Sequence, residues 1–175
     1  MKTVISAVEA EYRRYRTLAE EAMAQLSDAQ LHERFGDGNS VATLMQHLGG
    51  NLNSRFTDFL ASDGEKEWRD REGEFADRAL GRAELATLWG EGWATLFEAL
   101  GTLSDGQLEA KVLIRGVPLS VMEALARSLS HAAYHVGQIV LVARGLRGAD
   151  WKFLSIPPGG SAAYNAAPSK EKPPG

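Results

Sequence analysis

The sequence predicts an all-α fold, a four-helix bundle with a long ordered loop after its second helix. Four segments carry apolar residues at three- and four-residue spacings, which place side chains on one face of an α-helix. Strand-like alternation is confined to one short stretch, Lys111 to Leu119. Helices that each have one apolar stripe bury those stripes economically against one another, which favours a bundle.

The first two helices are predicted from apolar spacing and from the residues at their ends. The first covers residues 4–26. The second covers residues 40–60 and begins at Asn39 or Ser40, both good N-caps. A glycine pair at 49–50 lies inside the second helix and costs about 1 kcal/mol per glycine relative to alanine. Close packing or a nearby ligand is expected to compensate for that cost.

The third helix is predicted over residues 82–100 and the fourth over 119–146. A Ser-x-x-Glu capping box formed by Ser120 and Glu123 marks the start of the fourth helix, because each side chain satisfies an otherwise unpaired backbone donor. The stretch 111–119 is expected to form a short hairpin around Arg115 and Gly116.

The chain is expected to form one domain with a short tail. The metal-binding bundle is assigned to residues 1–156, and residues 157–175, rich in proline, glycine and alanine, are assigned to a C-terminal tail. The segment 63–77 contains ten charged residues in fifteen and lacks a helical stripe. It is therefore predicted to be the long ordered loop.

Composition excludes several function classes. The net charge of −4 and pI near 5.6 provide no basic surface for nucleic acid or for an anionic membrane. The chain has no cysteine, so any thiol chemistry needs a thiol supplied from outside. Its first residues lack the apolar core of a secretion signal, and no stretch has the length of a membrane span. A cytoplasmic protein is expected.

Three of the four histidines lie in predicted helices. His131 and His135 are four residues apart, so their rings leave the same helix face and can approach one ion. His47 lies in the second helix, which can face the fourth inside a bundle, whereas His32 is interpreted as a surface residue. Spacing alone leaves two alternatives open, namely a three-histidine metal site or ordinary hydrogen-bonded packing residues.

Polar residues one or two turns from these histidines are candidates for a supporting or substrate-binding role. Asn51 and Arg55 follow His47 at four-residue steps, and Gln138 follows His135 by three residues. Asn51 is the better candidate in the second helix, because it adjoins a residue assigned to the interior. Alternatively, Arg55 lies on a solvated face of the helix, and Gln138 has a purely structural role.

Two runs of sequence carry a family resemblance. HLGGNLNSRFTDFLASDGEKEWRDREGEF in the second helix and its loop, with SHAAYHVGQIV in the fourth helix, resembles the DinB/YfiT-like superfamily of metal-dependent enzymes. The later run LSIPPGGSAAYN is similar to a branch of unknown function. The resemblance extends from the first helix to about Ser161. It implies a four-helix bundle that holds one divalent transition metal ion, zinc or nickel, through His47, His131 and His135.

The resemblance also implies an activity by analogy. Some members of the superfamily transfer a low-molecular-weight thiol to an electrophile, which suggests a thiol S-transferase acting on a small-molecule substrate. Two alternatives stay open: a metal-dependent hydrolase, and a non-enzymatic metal-stabilised binding or interaction protein. A homodimer is expected because related bundles often pair.

Overall fold

The computed structural model describes residues 3–76 and 78–168, which form a mainly helical fold with a small sheet. Within these residues the α-helices and strands are α1 (Thr3–Met23), α2 (Asp28–His32), α3 (Val41–Phe56), α4 (Arg82–Thr102), β1 (Lys111–Ile114), β2 (Val117–Ser120), α5 (Val121–Arg147) and α6 (Ser161–Ala166). The predicted mainly helical character is confirmed, and the hairpin predicted at 111–119 forms a two-stranded antiparallel sheet.

The four long helices pack in pairs around a common core. α3 lies against α4, α1 lies against α5, and contacts between α3 and α5 join the two pairs. Tyr12 of α1, Phe56 of α3 and Trp93 of α4 are fully or almost fully buried, and Tyr12 makes T-shaped contacts with both other rings. α3 is buried along nearly its whole length, which places its polar side chains inside the molecule.

α3 and α4 approach closely because both have glycine at their contact. A Cβ atom on Gly49 would lie 2.6 Å from the carbonyl oxygen of Leu88, and one on Gly92 would collide with the Gly49 backbone. The cost of Gly49 in mid-helix is therefore offset by close packing, as the sequence led us to expect.

The predicted caps of two helices are confirmed, and two predicted helix ends are wrong. Ser40 caps α3 by accepting from the Thr43 amide, and Ser120 forms a capping box with Glu123 at the start of α5. The first helix was predicted to reach residue 26 but ends at Met23, because the amides of Gln25 and Leu26 donate to the carbonyl groups three residues back rather than four. The second helix was predicted to reach residue 60 but ends at Phe56. Its last turn gives way because Thr57 adopts an extended conformation while its hydroxyl donates to the carbonyl oxygen of Asn53.

The predicted hairpin is present, and the long loop is fastened to it. Arg115 and Gly116 form the turn with φ of 55° and 74°. The carboxylate of Asp63 accepts from the amides of both residues, at 2.8 and 2.7 Å. The Gly64 amide donates to the carbonyl oxygen of Leu113 at 2.8 Å. These bonds hold the loop and the hairpin turn together beside α3.

The C-terminal part of the described chain has more regular structure than the sequence predicted for it. Residues 161–166 form α6, and Trp151 and Leu154 pack partly buried against the core. Residues 169–175 of the predicted tail, and Asp77 of the predicted loop, lie outside the described residues. Among the helices of the described part of the chain, none has the length and apolar character to cross a membrane.

Candidate metal centre

Three histidines from two helices converge in the interior. His47 comes from the middle of α3, and His131 and His135 come from successive turns of α5. The Nε2 atom of His131 lies 3.3 Å from Nε2 of His47 and 3.1 Å from Nε2 of His135. One ring nitrogen from each of the three lies within 4.8 Å of the others, so the cluster is positioned to bind a metal ion.

A buried carboxylate orients His47. Glu74 lies in a single 3-10 turn, Gly73–Phe75, and its Oε2 is 2.9 Å from Nδ1 of His47. Arg69 donates to both oxygens of the same carboxylate, at 2.7 and 2.8 Å. An ionised carboxylate only accepts, so Nδ1 of His47 donates the proton, and a ring protonated at Nδ1 alone presents the Nε2 lone pair to the cluster. This carboxylate–histidine arrangement is typical of metal sites.

Gly50 makes room for that carboxylate. A Cβ atom on Gly50 would overlap the side chain of Glu74, so no other residue fits here without displacing it. Reasoning from the sequence missed Glu74, since it lies in a loop crowded with charged residues. The signal that could have found it is the glycine pair, because its second member faces the loop rather than α4.

His135 is oriented through a different partner. Its Nδ1 donates to Oε1 of Gln138 at 2.7 Å, which again leaves the Nε2 lone pair for the cluster. His131 can donate its Nε2 proton to only one of the two facing lone pairs. Its Nδ1 has no hydrogen-bond partner among the described residues. A cation among the three Nε2 atoms would satisfy lone pairs that the protein's own hydrogens cannot.

The electrostatic surroundings keep the α5 histidines neutral. Burial, followed by the neighbouring His135 and His47, lowers the pKa of His131 to about 3. Burial and His47 also lower the pKa of His135, against the opposing effect of its bond to Gln138. Burial raises the pKa of Glu74, but hydrogen bonds from His47 and Arg69 outweigh it, so the net shift is downward. Neutral imidazoles beside an ionised carboxylate are the protonation states that a metal requires.

The histidines border a cavity of about 270 Å³, here called the histidine cavity. Asn51 and Arg55, the two α3 candidates from the sequence, both line it. Phe75 packs against the His47 ring, with centroids 4.5 Å apart. Five arginines line the cavity as well: Arg55, Arg69, Arg71, Arg115 and Arg127. The cavity thus joins a nitrogen-rich end to a strongly cationic one.

The fourth histidine lies elsewhere. His32 belongs to the short helix α2, and its Nε2 is 3.0 Å from the carbonyl oxygen of Leu80. It is half-buried rather than on the surface as the sequence suggested, because the segment before α4 passes over it. This hydrogen bond joins α2 to the segment before α4. Because His32 lies outside the cluster, it is a suitable control position for the other three histidines.

The fold and the site together define a mainly helical protein with a three-histidine cluster suited to a metal ion. Residues 1–160 match the family described as protein of unknown function (DUF1572), and the chain belongs to that family. A crystal structure described as the conserved protein of locus from Enterococcus faecalis is similar in fold, with a TM-score of 0.62 and 20% sequence identity. The similarity covers 85% of this chain and 99% of that one. A search of curated proteins finds no match.

Proposed function

We propose that this protein is a metal-dependent enzyme built on a four-helix bundle of the DinB/YfiT-like type, formed by α1, α3, α4 and α5. His47, His131 and His135 would hold one divalent transition metal ion, zinc or nickel. The observation that carries this proposal is the convergence of three Nε2 atoms, two of them fixed as lone-pair donors by Glu74 and Gln138, at the wall of the histidine cavity.

The proposed reaction is transfer of a low-molecular-weight thiol to a small electrophilic molecule. A bound divalent ion supplies the ability to lower the pKa of a thiol or of water, which generates a nucleophile at neutral pH. The protein's own contribution is orientation: Glu74 and Gln138 fix two rings, and Phe75 covers one of them. Asn51 is 8% exposed and lines the cavity one turn from His47, which suits an amide that positions substrate.

A second candidate function is non-enzymatic. The histidine cluster joins α3 to α5, so an ion bound there would strengthen the contact between the two helix pairs. In that case the ion would stabilise a binding or interaction protein. Homodimer formation and a cytoplasmic location stay predictions from the sequence.

Metal analysis tests the site. Protein purified without an affinity tag should contain roughly one transition metal ion per chain. His47→Ala and His135→Ala should each remove it, whereas His32→Ala, the matched control, should retain it. Absence of metal in the wild-type protein, together with no uptake of added zinc or nickel, would contradict the proposal.

Thiol consumption tests the reaction. Metal-loaded protein is mixed with a thiol and monochlorobimane, and conjugation is followed by fluorescence. Turnover that disappears with a chelator and in His135→Ala supports the transferase. Hydrolysis of ester or amide substrates without thiol consumption would indicate the hydrolase instead. Loss of thermal stability on chelation, without turnover in either assay, would favour the non-enzymatic alternative.

A further inference from the structure

The histidine cavity has a second end formed by arginines from separate parts of the chain. Arg55 lies two turns beyond His47 on α3, and Arg127 lies one turn before His131 on α5. Arg115 comes from the hairpin turn. All three line the same cavity as the histidines. Helices α3 and α5 therefore each contribute histidine to one end of the cavity and arginine to the other.

Carboxylates do not balance this charge inside the cavity. Five guanidinium groups contribute to its walls, and among the described residues no carboxylate does. Glu65 lies behind them, where its Oε2 is 3.2 Å from Arg115, 3.6 Å from Arg69 and 3.9 Å from Arg55. That single oxygen makes no hydrogen bond to any of the three. Because Arg69 is already paired with Glu74, Glu65 serves as the shared counter-ion of Arg55 and Arg115.

In the described part of the chain, one buried nitrogen of these arginines has no acceptor, and the exposed Arg127 has no ion-pair partner. The Nη1 atom of Arg55 is buried and has no hydrogen-bond partner within residues 3–76 and 78–168. In the same part of the chain, no carboxylate lies within ion-pair distance of Arg127. Burial lowers the pKa of Arg55, and Arg69, Arg115 and Arg127 lower it further against the opposing charge of Glu65. A buried donor without a partner calls for an explanation, and a missing anion is one.

Asp63 holds the hairpin turn in place beside the cavity. Asp63 accepts from the backbone amides of both turn residues, Arg115 and Gly116, so the turn keeps its conformation beside the cavity. The Arg115 guanidinium itself stays free of Asp63 and extends towards Glu65 and the cavity. Asp63 is therefore a positioning residue for the cationic end.

We propose that the arginine end of the histidine cavity binds an oxyanion group, a carboxylate or a phosphate, of a small-molecule substrate whose other end reaches the three histidines. The planar guanidinium group donates two parallel hydrogen bonds to either oxyanion. This inference rests on the proposed function, because it specifies the substrate class of the same site. It predicts that neutral analogues of the substrate bind much more weakly than anionic ones.

Calorimetric titration tests the inference, first on metal-free protein so that the arginines are assayed without the ion. The probes are succinate and inorganic phosphate, with the neutral succinamide as control. The variants are Arg127→Gln and Arg115→Gln, whose side chains are exposed enough to be replaced without disturbing the core. Arg144→Gln is the matched control, because it removes the same charge from α5 outside the cavity.

We expect succinate or phosphate to bind and succinamide not to bind. Each cavity variant should weaken anion binding by about tenfold, and Arg144→Gln should leave it unchanged. Preference for succinate over phosphate, or the reverse, identifies the oxyanion. Equal binding of succinate and succinamide, or unchanged anion affinity in both cavity variants, would overturn the inference.

Metal content measured on the same preparations separates this inference from the proposed function. Protein that binds one ion per chain but no anion retains the metal site and loses the anion site. Protein that binds anions through the arginines but takes up no metal retains the anion site and lacks the metal site, since the arginine contacts do not depend on the ion.

Discussion

The two faces of helix α3 differ in what they require from the sequence. Towards α4 the helix is packed so closely that Gly49 leaves no room for a Cβ atom beside the Leu88 backbone. Towards α5 and the loop it presents His47, Asn51 and Arg55 to a polar cavity. On that side Gly50 makes room for a carboxylate rather than for a helix. Gly49 is therefore required by helix packing, whereas Gly50 is required by the site.

The largest effect on stability is expected from the apolar face. Trp93 of α4 is fully buried among Tyr12, Trp89 and Phe97. Trp93→Ala should lower the free energy of unfolding by about 3–5 kcal/mol, because it removes a large side chain and leaves a cavity. Urea denaturation measures the loss. Trp68→Ala, which changes a side chain that is 57% exposed, is the control and should have little effect.

If the folded fraction of Trp93→Ala keeps its metal affinity, packing on the α4 side of α3 is independent of the metal site on its other side. A parallel loss of affinity at temperatures where this variant is folded would show that packing and site cannot be treated apart.

The next largest effect is expected on the polar face. Glu74→Gln keeps the size of the side chain but removes the charge that orients His47 and pairs with Arg69. Zinc affinity, measured by competition with a chelator, should fall by about 10–100-fold. Glu72→Gln, which changes an exposed carboxylate two residues away, is the matched control and should retain the affinity. Equal affinities in the two variants would remove Glu74 from the site.

The glycine pair offers the sharpest test of the comparison. Gly49→Ala places a methyl group against backbone atoms, which cannot move aside, and should destabilise the protein by about 1–3 kcal/mol. Gly50→Ala meets only the end of the Glu74 side chain, so the fold should survive while the carboxylate is displaced from His47. Displacement of Glu74 also weakens its ion pair with the buried Arg69, so zinc affinity is the discriminating measurement. At a temperature where both variants are folded, zinc affinity should fall in Gly50→Ala and stay near that of the wild-type protein in Gly49→Ala. The opposite pattern would contradict the division between the two faces.

The sequence alone predicted the parts of this arrangement that depend on local pattern. Apolar spacing and the Ser120 cap place α5 within two residues of its observed bounds, and the four-residue step puts His131 and His135 on one face. The end of α3 was misplaced because Phe59 continues the apolar pattern after the helix has stopped, and is buried from outside it. Glu74 escaped notice because its contact with His47 spans 27 residues and depends on a loop conformation.

The smallest predicted effect concerns the attachment of loop to hairpin. The Glu65 amide, and then those of Gly116 and Arg115, hold the pKa of Asp63 below its usual range, against the opposing effect of burial. A carboxyl whose pKa is lowered on folding stabilises the protein above its unfolded pKa, near 3.9, and this contribution is lost as pH falls through the folded pKa.

Asp63→Asn should therefore lower the melting temperature at pH 7 by a few degrees, corresponding to about 1 kcal/mol in a chain of this length. The difference from the wild-type protein should narrow below about pH 4, where the wild-type carboxyl is itself protonated. Thermal denaturation across pH 3–7 provides the measurement. A difference that persists unchanged at pH 3 would assign the effect to something other than the carboxylate charge.

X-ray absorption spectroscopy of the zinc-loaded protein is the most direct test of the three-histidine metal centre. The spectrum should show three imidazole ligands, with Zn–N distances of about 2.0–2.1 Å, and should lose one imidazole contribution in His135→Ala if that variant retains any ion. A spectrum dominated by oxygen ligands, or one that His135→Ala leaves unchanged, would contradict a metal centre formed by His47, His131 and His135.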